Sequence, residues 1–304
     1  MDISTKICGV MLSNPTTLAS GIMGVTGASL CFAAKNGAGA VTTKSIGMEE
    51  RKGHPCPIFL EWEKGMINAV GLSSPGIDSC IEELRFAVKN SKSPVIASIF
   101  APTTKQFGEV ARHVSKIRPN LVEVNISCPN VEAEFGKPFA TDPQAAADVT
   151  RIVKKNTGIP VIMKLSPNVS NIKVIAKAVE KAGADAICAI NTVGPGMLID
   201  IKAGKPLLAN KAGGLSGPAI RPVAVRCVYD IYETVKIPII GTGGITYGKD
   251  AVEMIMAGAS AVGIGSAVYY RGIDVFRKVC DEIIDFMEKE GYSSLNQFRG
   301  IAHE

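Results

Sequence analysis

The chain has 304 residues, 46% hydrophobic and 20% charged, the composition of a soluble globular protein with an ample core. Its net charge of +5 is spread in short pairs such as Arg51-Lys52, and aromatics make up only 6%, which disfavours nucleic-acid binding and leaves room for small anionic ligands. Eight cysteines (8, 31, 56, 80, 128, 188, 227 and 280) form no CxxC and, beside three histidines, no cluster of metal-binding spacing, so reduced thiols in a cytosolic setting and no metal site are expected. The first residues lack a signal pattern, and no run reaches the ~18 apolar residues that cross a bilayer, so a cytoplasmic location is expected.

In chain order, residues 1–16 read as a strand or hairpin cap ending at Asn14-Pro15, and Thr17–Gly21 as a first core strand. A helix closing at Ala33–Gly39 leads to a second strand, Ala40–Ser45. Residues 46–78, rich in Gly, Pro and Asn, are too long for an ordinary connection and point to a functional insertion. From residue 79 the alternation is regular: helix Ile81–Asn90, strand Pro94–Ile99, helix Thr104–Ile117, strand Leu121–Ser127. After an irregular stretch over 129–142 come helix Pro143–Asn156, strand Pro160–Leu165, helix Ile172–Ala182 and strand Ala186–Asn191. A second insertion, 193–217, precedes helix Ala219–Val235, strand Ile237–Gly241, helix Gly248–Ala257, strand Ala261–Gly265 and a closing helix over 272–290. The strands are apolar on both faces and the helices carry a 3.6-residue stripe, as in a parallel sheet covered by helices. Eight βα units in one domain, residues 1–304, predict an α/β fold of the (β/α)8 TIM-barrel type, with an N-terminal cap and insertions at the C-terminal mouth. The rival is a doubly wound open sheet, weakened by the lack of G-x-G-x-x-G after the first strand.

Strand ends of such a barrel converge on one mouth, here Ser20, Lys44, Ser98, Asn125, Ser127, Cys128, Lys164, Asn191, Thr192, Gly243, Gly244, Gly265 and Ser266. The last two strands end in Gly241-Thr-Gly-Gly244 and Gly263-Ile-Gly-Ser266, where glycine lets backbone amides approach a phosphate; one such turn alone is weak evidence, two in these places are not. Lys44 and Lys164 interrupt apolar strands and call for anionic partners; the plainer alternative is a snorkelling side chain. Asn68, Asn125 and Asn191 each offer a donor and an acceptor, suited to an imide or amide, though any one alone reads as a turn or cap residue. Cys128 ends a strand before Pro129 inside this polar mouth. It reads as an acid/base group or nucleophile, where the other seven cysteines read as inert thiols. His54, His113 and His303 lie in an insertion, a helix and the tail, which argues against a Cys-His hydrolase. Val131–Thr141, following the cysteine, is expected to act as a lid.

Together, Leu18-Ala-Ser-Gly21, Thr43-Lys-Ser45, Asn68-Ala-Val-Gly-Leu72, Asn125-Ile-Ser-Cys-Pro-Asn130, Lys164-Leu-Ser-Pro-Asn168, Ala189-Ile-Asn-Thr192, Gly213-Gly-Leu-Ser-Gly-Pro218 and the two glycine turns make the chain resemble the class 1 dihydroorotate dehydrogenases, flavin enzymes of pyrimidine synthesis. The resemblance implies a barrel that binds one FMN and oxidises dihydroorotate to orotate. Cys128 would be the base that takes the C5 proton while hydride leaves C6 for the flavin. It implies substrate positions Lys44, Asn68, Ala69, Val70, Gly71, Leu72, Asn125, Asn191 and Thr192. For FMN it implies Ser20, Lys44, Ser45, Asn125, Lys164, Ile190, Gly217, Gly243, Gly244, Gly265 and Ser266. A cysteine base, where the membrane-bound class has serine, points to class 1. Within it the pattern resembles the NAD-linked form, a homodimer paired in a heterotetramer with a subunit carrying FAD and a [2Fe–2S] cluster; this chain has no cysteine set for a cluster. The alternatives are the fumarate-linked class 1A enzyme, a dihydropyrimidine dehydrogenase or dihydrouridine synthase type of flavoprotein, and a phosphate-binding barrel without redox chemistry. The third strand, Ala97-Ser-Ile-Phe-Ala101, departs from the family's usual Asn followed by small residues.

Overall fold

Eight short apolar runs pair side by side as parallel strands and close on themselves in a computed structural model, which describes residues 1–127 and 139–304. In chain order these are β1 (Thr16–Leu18), β2 (Ala40–Thr42), β3 (Val95–Ile99), β4 (Leu121–Asn125), β5 (Val161–Leu165), β6 (Ala186–Ala189), β7 (Ile239–Thr242) and β8 (Ala261–Ile264), and β8 pairs with β1 to complete the ring. Around them lie α1 (Gly27–Lys35), α2 (Ile77–Asn90), α3 (Thr104–Ser115), α4 (Pro143–Asn156), α5 (Ile172–Lys181), α6 (Arg221–Tyr232), α7 (Gly248–Met256), α8 (Ala267–Arg271) and α9 (Val275–Glu290). Closure excludes the open sheet and gives the (β/α)8 barrel.

The two-residue period of each strand explains the two cores. On β4, Val122 and Val124 face outward into the layer between sheet and helices, while Leu121 faces into the barrel. The interior cluster collects Ala40, Ile96, Leu121, Ile162, Ala186 and Ala261, all near strand starts. Ile7 and Leu12 of an N-terminal hairpin, Thr5–Ile7 paired with Val10–Leu12, join the same cluster and plug that end. The barrel is therefore dry at its N-terminal end, and polar residues are left to the other.

Several boundaries move from those read in the sequence. Helix α2 starts at Ile77, four residues early, because Gly76 turns the chain at φ 86°. The closing helix, read over 272–290, is α9 and starts at Val275; a separate short helix, α8, precedes it and is divided from it at Gly272 with φ 82°. Both insertions carry short strands, and these meet: Phe59–Trp62 and Gly65–Asn68 pair with Gly213–Ser216 and Val193–Gly196 in one four-stranded antiparallel sheet. The expected lid over Val131–Thr141 lies outside the described residues except at its end, where Phe139–Thr141 forms a 3-10 turn. Among the described residues, no helix is long and apolar enough to cross a membrane.

Candidate active site

A cavity of about 260 Å³ opens at the C-terminal ends of the strands, under the four-stranded sheet. Ser20 follows β1, Lys44 and Ser45 follow β2, Asn125 ends β4, and Lys164 lies on β5. Ile190, Asn191 and Thr192 follow β6, and the glycine turns after β7 and β8 bring Gly243, Gly244, Gly265 and Ser266 to the same wall. The covering sheet adds Asn68, the segment Val70–Leu72 beyond it, and Gly217. Cys128 lies outside the described residues. Ala69 is off the cavity: strand alternation turns it away from Asn68, into a small apolar cluster with Ile67 and Leu208.

Ser98 and Ser127, grouped with the mouth by their strand position, are fully buried and do not line the cavity. Phe100 packs against Gly47, where an added Cβ would lie 2.5 Å from its ring, and so does not intrude on the cavity. Phe59, Met66, Ile22 and Ile220 form an apolar wall that the sequence reading missed. Phe59 and Met66 sit in the first insertion, in Phe59-Leu-Glu-Trp62 and Gly65-Met-Ile-Asn68, whose alternation was the available signal.

Hydrogen bonds fix the polar floor. Ser20 Oγ donates to the Thr43 carbonyl at 2.8 Å, and Asn125 Nδ2 donates to Ser45 Oγ at 3.1 Å. Ser127 N and Oγ both donate to Asn125 Oδ1, at 3.3 and 3.2 Å. Asn191 Nδ2 donates to Ser127 Oγ at 2.9 Å, and Asn191 Oδ1 accepts from Thr192 N at 2.8 Å. Lys164 Nζ lies 3.7 Å from Glu123 Oε1, both side chains nearly excluded from solvent at 7% and 5% exposure. A buried cation beside one carboxylate, at the edge of a cavity, suits an anionic or electron-rich ligand.

The glycine turns are there for steric reasons. Gly243 has φ 135° and Gly244 φ 75°; a Cβ would come within 2.7 Å of Ala224 at the first and 2.8 Å of the Arg221 backbone nitrogen at the second. Gly265 is roomier, its nearest contact being Ile22 at 3.4 Å, so its backbone faces free volume.

Away from the cavity, burial pushes Cys188 and Cys280 up from 9.0 to about 12. These thiols hold their proton in the folded state and release it sooner when unfolded, so their contribution is complete below pH 9 and is lost as pH rises toward 12. Urea unfolding between pH 7 and 10 should show stability falling above pH 9, by about 1 kcal/mol per thiol at pH 10. Stability that rises over that interval would contradict the burial of these groups.

Comparison with known proteins bears on the whole chain. A family model described as dihydroorotate dehydrogenase matches residues 2–287. The "Dihydroorotate dehydrogenase B (NAD(+)), catalytic subunit" of Methanosarcina mazei is 48% identical over 299 residues, 98% of this chain and 94% of that protein. The protein of the same description from Methanocaldococcus jannaschii is 49% identical over 305 residues, 99% of this chain and 98% of its own. Among solved structures, a crystal structure of DHODH in complex with ferulenol from Eimeria tenella aligns with a TM-score of 0.86, covering 100% of this chain and 89% of that one. Its identity is 21%, so it speaks to the barrel alone. With the family model spanning nearly every residue and relatives at almost half identity end to end, the chain belongs to the dihydroorotate dehydrogenase family.

Proposed function

We propose that this chain is the FMN-bearing catalytic subunit of a cytoplasmic, NAD-linked dihydroorotate dehydrogenase, oxidising dihydroorotate to orotate in pyrimidine biosynthesis. The observation that carries the reading is one cavity that gathers two lysines, three asparagines and two glycine turns from strand ends far apart in sequence. The donor set fits FMN. Gly243, Gly244, Gly265 and Ser266 suit its phosphate, and Ser20, Ser45, Asn125, Lys164, Ile190 and Gly217 suit the remainder. When bound, FMN supplies the acceptor for the hydride leaving C6 of dihydroorotate.

The chain's own residues do the rest. Lys44 supplies positive charge for the substrate carboxylate, and Asn68, Asn125, Asn191 and Thr192 hold the ring by hydrogen bonds. Val70, Gly71 and Leu72 close the cavity against water beside the apolar wall. Cys128 takes the C5 proton. The "catalytic subunit" in the relatives' descriptions supports an electron-transfer partner; we assign it FAD and a [2Fe–2S] cluster and place a homodimer of this chain within a heterotetramer.

Anaerobic titration with dihydroorotate of protein purified from the native host tests the reading. The expected result is a yellow protein whose flavin bleaches, with an iron–sulfur flavoprotein co-purifying and NAD-dependent turnover. A colourless chain that takes up no FMN overturns the redox reading. Turnover with fumarate and no partner overturns the NAD linkage and favours the class 1A alternative.

A further inference from the structure

Beneath the cavity floor lies an acidic residue to which the proposed reaction assigns no task. Glu123 points into the barrel between Leu121 and Asn125, one layer above the dry interior cluster, and is 4% exposed. A carboxylate there costs free energy unless it is paired and hydrogen-bonded. Lys164 stands 3.7 Å away, and Ser98 Oγ donates to Glu123 Oε1 at 3.0 Å.

That bond orders others. A serine hydroxyl has one proton, so with the Ser98 proton on Glu123, the 3.0 Å contact between Ser98 Oγ and Ser45 Oγ must be donated by Ser45. The Ser45 oxygen is then left to accept, and it does so from Asn125 Nδ2 at 3.1 Å. The Asn125 oxygen is held independently by the Ser127 backbone N–H, and the Asn191 oxygen by the Thr192 backbone N–H. Asn191 Nδ2 donates to Ser127 Oγ, whose own proton goes to Asn125 Oδ1. Every proton from Asn191 to Ser98 therefore runs one way and ends on the carboxylate. Both amide oxygens are taken up by protein donors, while each amide nitrogen keeps a second proton, and both side chains line the cavity.

We propose that Glu123 is a positioning residue whose carboxylate, through Ser98 and Ser45, adds to the Ser127 and Thr192 backbone N–H groups in holding Asn125 and Asn191 with N–H donors toward the cavity. The site then selects a ring bearing carbonyl or carboxylate acceptors and rejects one bearing amino groups at those positions. This rests on the function proposed above. It also gives the serine at position 98 a role: it joins the carboxylate to Ser45 at hydrogen-bond distance.

The test uses the full chain reconstituted with FMN, in the parent, Glu123→Gln and Ser98→Ala forms. Orotate and its 4-amino analogue, in which one ring carbonyl becomes an amino group, are titrated by the change in flavin absorbance. Glutamine offers Ser98 either a donor or an acceptor, and alanine cuts the link while leaving the ion pair in place. Both variants should bind FMN, and their preference for orotate over the amino analogue should narrow by ~tenfold or more, with the double variant no worse than either single. Variants that keep the parent's preference to within ~twofold overturn the proposal. Should Glu123→Gln not fold, Ser98→Ala decides alone by the same criterion. A parent chain that takes up neither FMN nor orotate overturns the preceding reading and this one with it, whereas variants that match a competent parent overturn this one only.

Discussion

Cys128→Ala is expected to keep FMN bound and to slow reduction of that flavin by dihydroorotate by about 10²–10⁴-fold, the ordinary contribution of a positioned general base. The size of the effect follows from what else the cavity offers. Among the described residues, no Asp, Glu or His lines it. Glu123 lies below the floor, engaged by Ser98 and Lys164. His303 is stacked on Tyr229 with ring centroids 3.8 Å apart, His113 is on α3, and His54 sits beside Gly71 outside the lining. The two lysines that line it, Lys44 and Lys164, are given over to the substrate carboxylate and to FMN in the proposed function. The strand that supplies Asn125 ends there, and two residues on the Ser127 hydroxyl bridges Asn125 and Asn191. Stopped-flow reduction should show a parent rate that falls about tenfold per unit as the pH drops below the base's pKa, a limb missing in the alanine variant. Cys128→Ser keeps a protonatable atom and should fall between the two, its profile displaced to higher pH. Reduction of Cys128→Ala at the parent rate would remove the cysteine from the proposed mechanism.

The barrel was legible in the sequence because its strands are apolar on both faces and its helices are not, a contrast that survives errors of several residues at each boundary. The polar residues that line the cavity were legible for a related reason. A lysine or asparagine at the end of an apolar strand is a breach of pattern, and Lys44, Asn125, Lys164 and Asn191 are all such breaches. The turn of Ala69 away from the cavity was missed because a motif read as a block ignores the two-residue period of its strand. Ser98, Ser127 and Glu123 show the deeper limit. Glu123 breaks its strand's pattern as clearly as Asn125 does, but only the parallel register that sets it opposite Ser98 shows where the carboxylate goes. The covering sheet was unreadable for the same reason, since its strands come from two insertions more than a hundred residues apart and pair only in three dimensions.

Lys164→Met is expected to cost about 3–5 kcal/mol in folding stability, the usual consequence of leaving one member of a buried ion pair behind. Methionine matches the lysine stem in length and removes little packing, so the loss is that of the ammonium. Glu123 would then keep the Ser98 hydrogen bond but no counter-charge, in a layer closed below by apolar side chains. Two responses are open to it: to stay charged and destabilise the fold, or to take up a proton and lose its hold on the direction of the hydrogen-bond chain. Either way Lys164→Met should weaken FMN as well, because the same ammonium lines the cavity. Adding Glu123→Gln removes the stranded charge, and the double variant should regain most of the stability while FMN affinity stays low. Lys44→Met is the control. That side chain also lines the cavity but is only half-buried, so its loss should cost no more than about 1 kcal/mol. Urea unfolding of the four proteins, with FMN affinity measured alongside, separates the two roles of Lys164. A single variant as stable as the parent, or a double variant no better than the single, would mean that Glu123 does not depend on Lys164 for its charge. Recovery of stability without recovery of FMN affinity would give the pair the role of a mount that holds positive charge against the floor of the cavity.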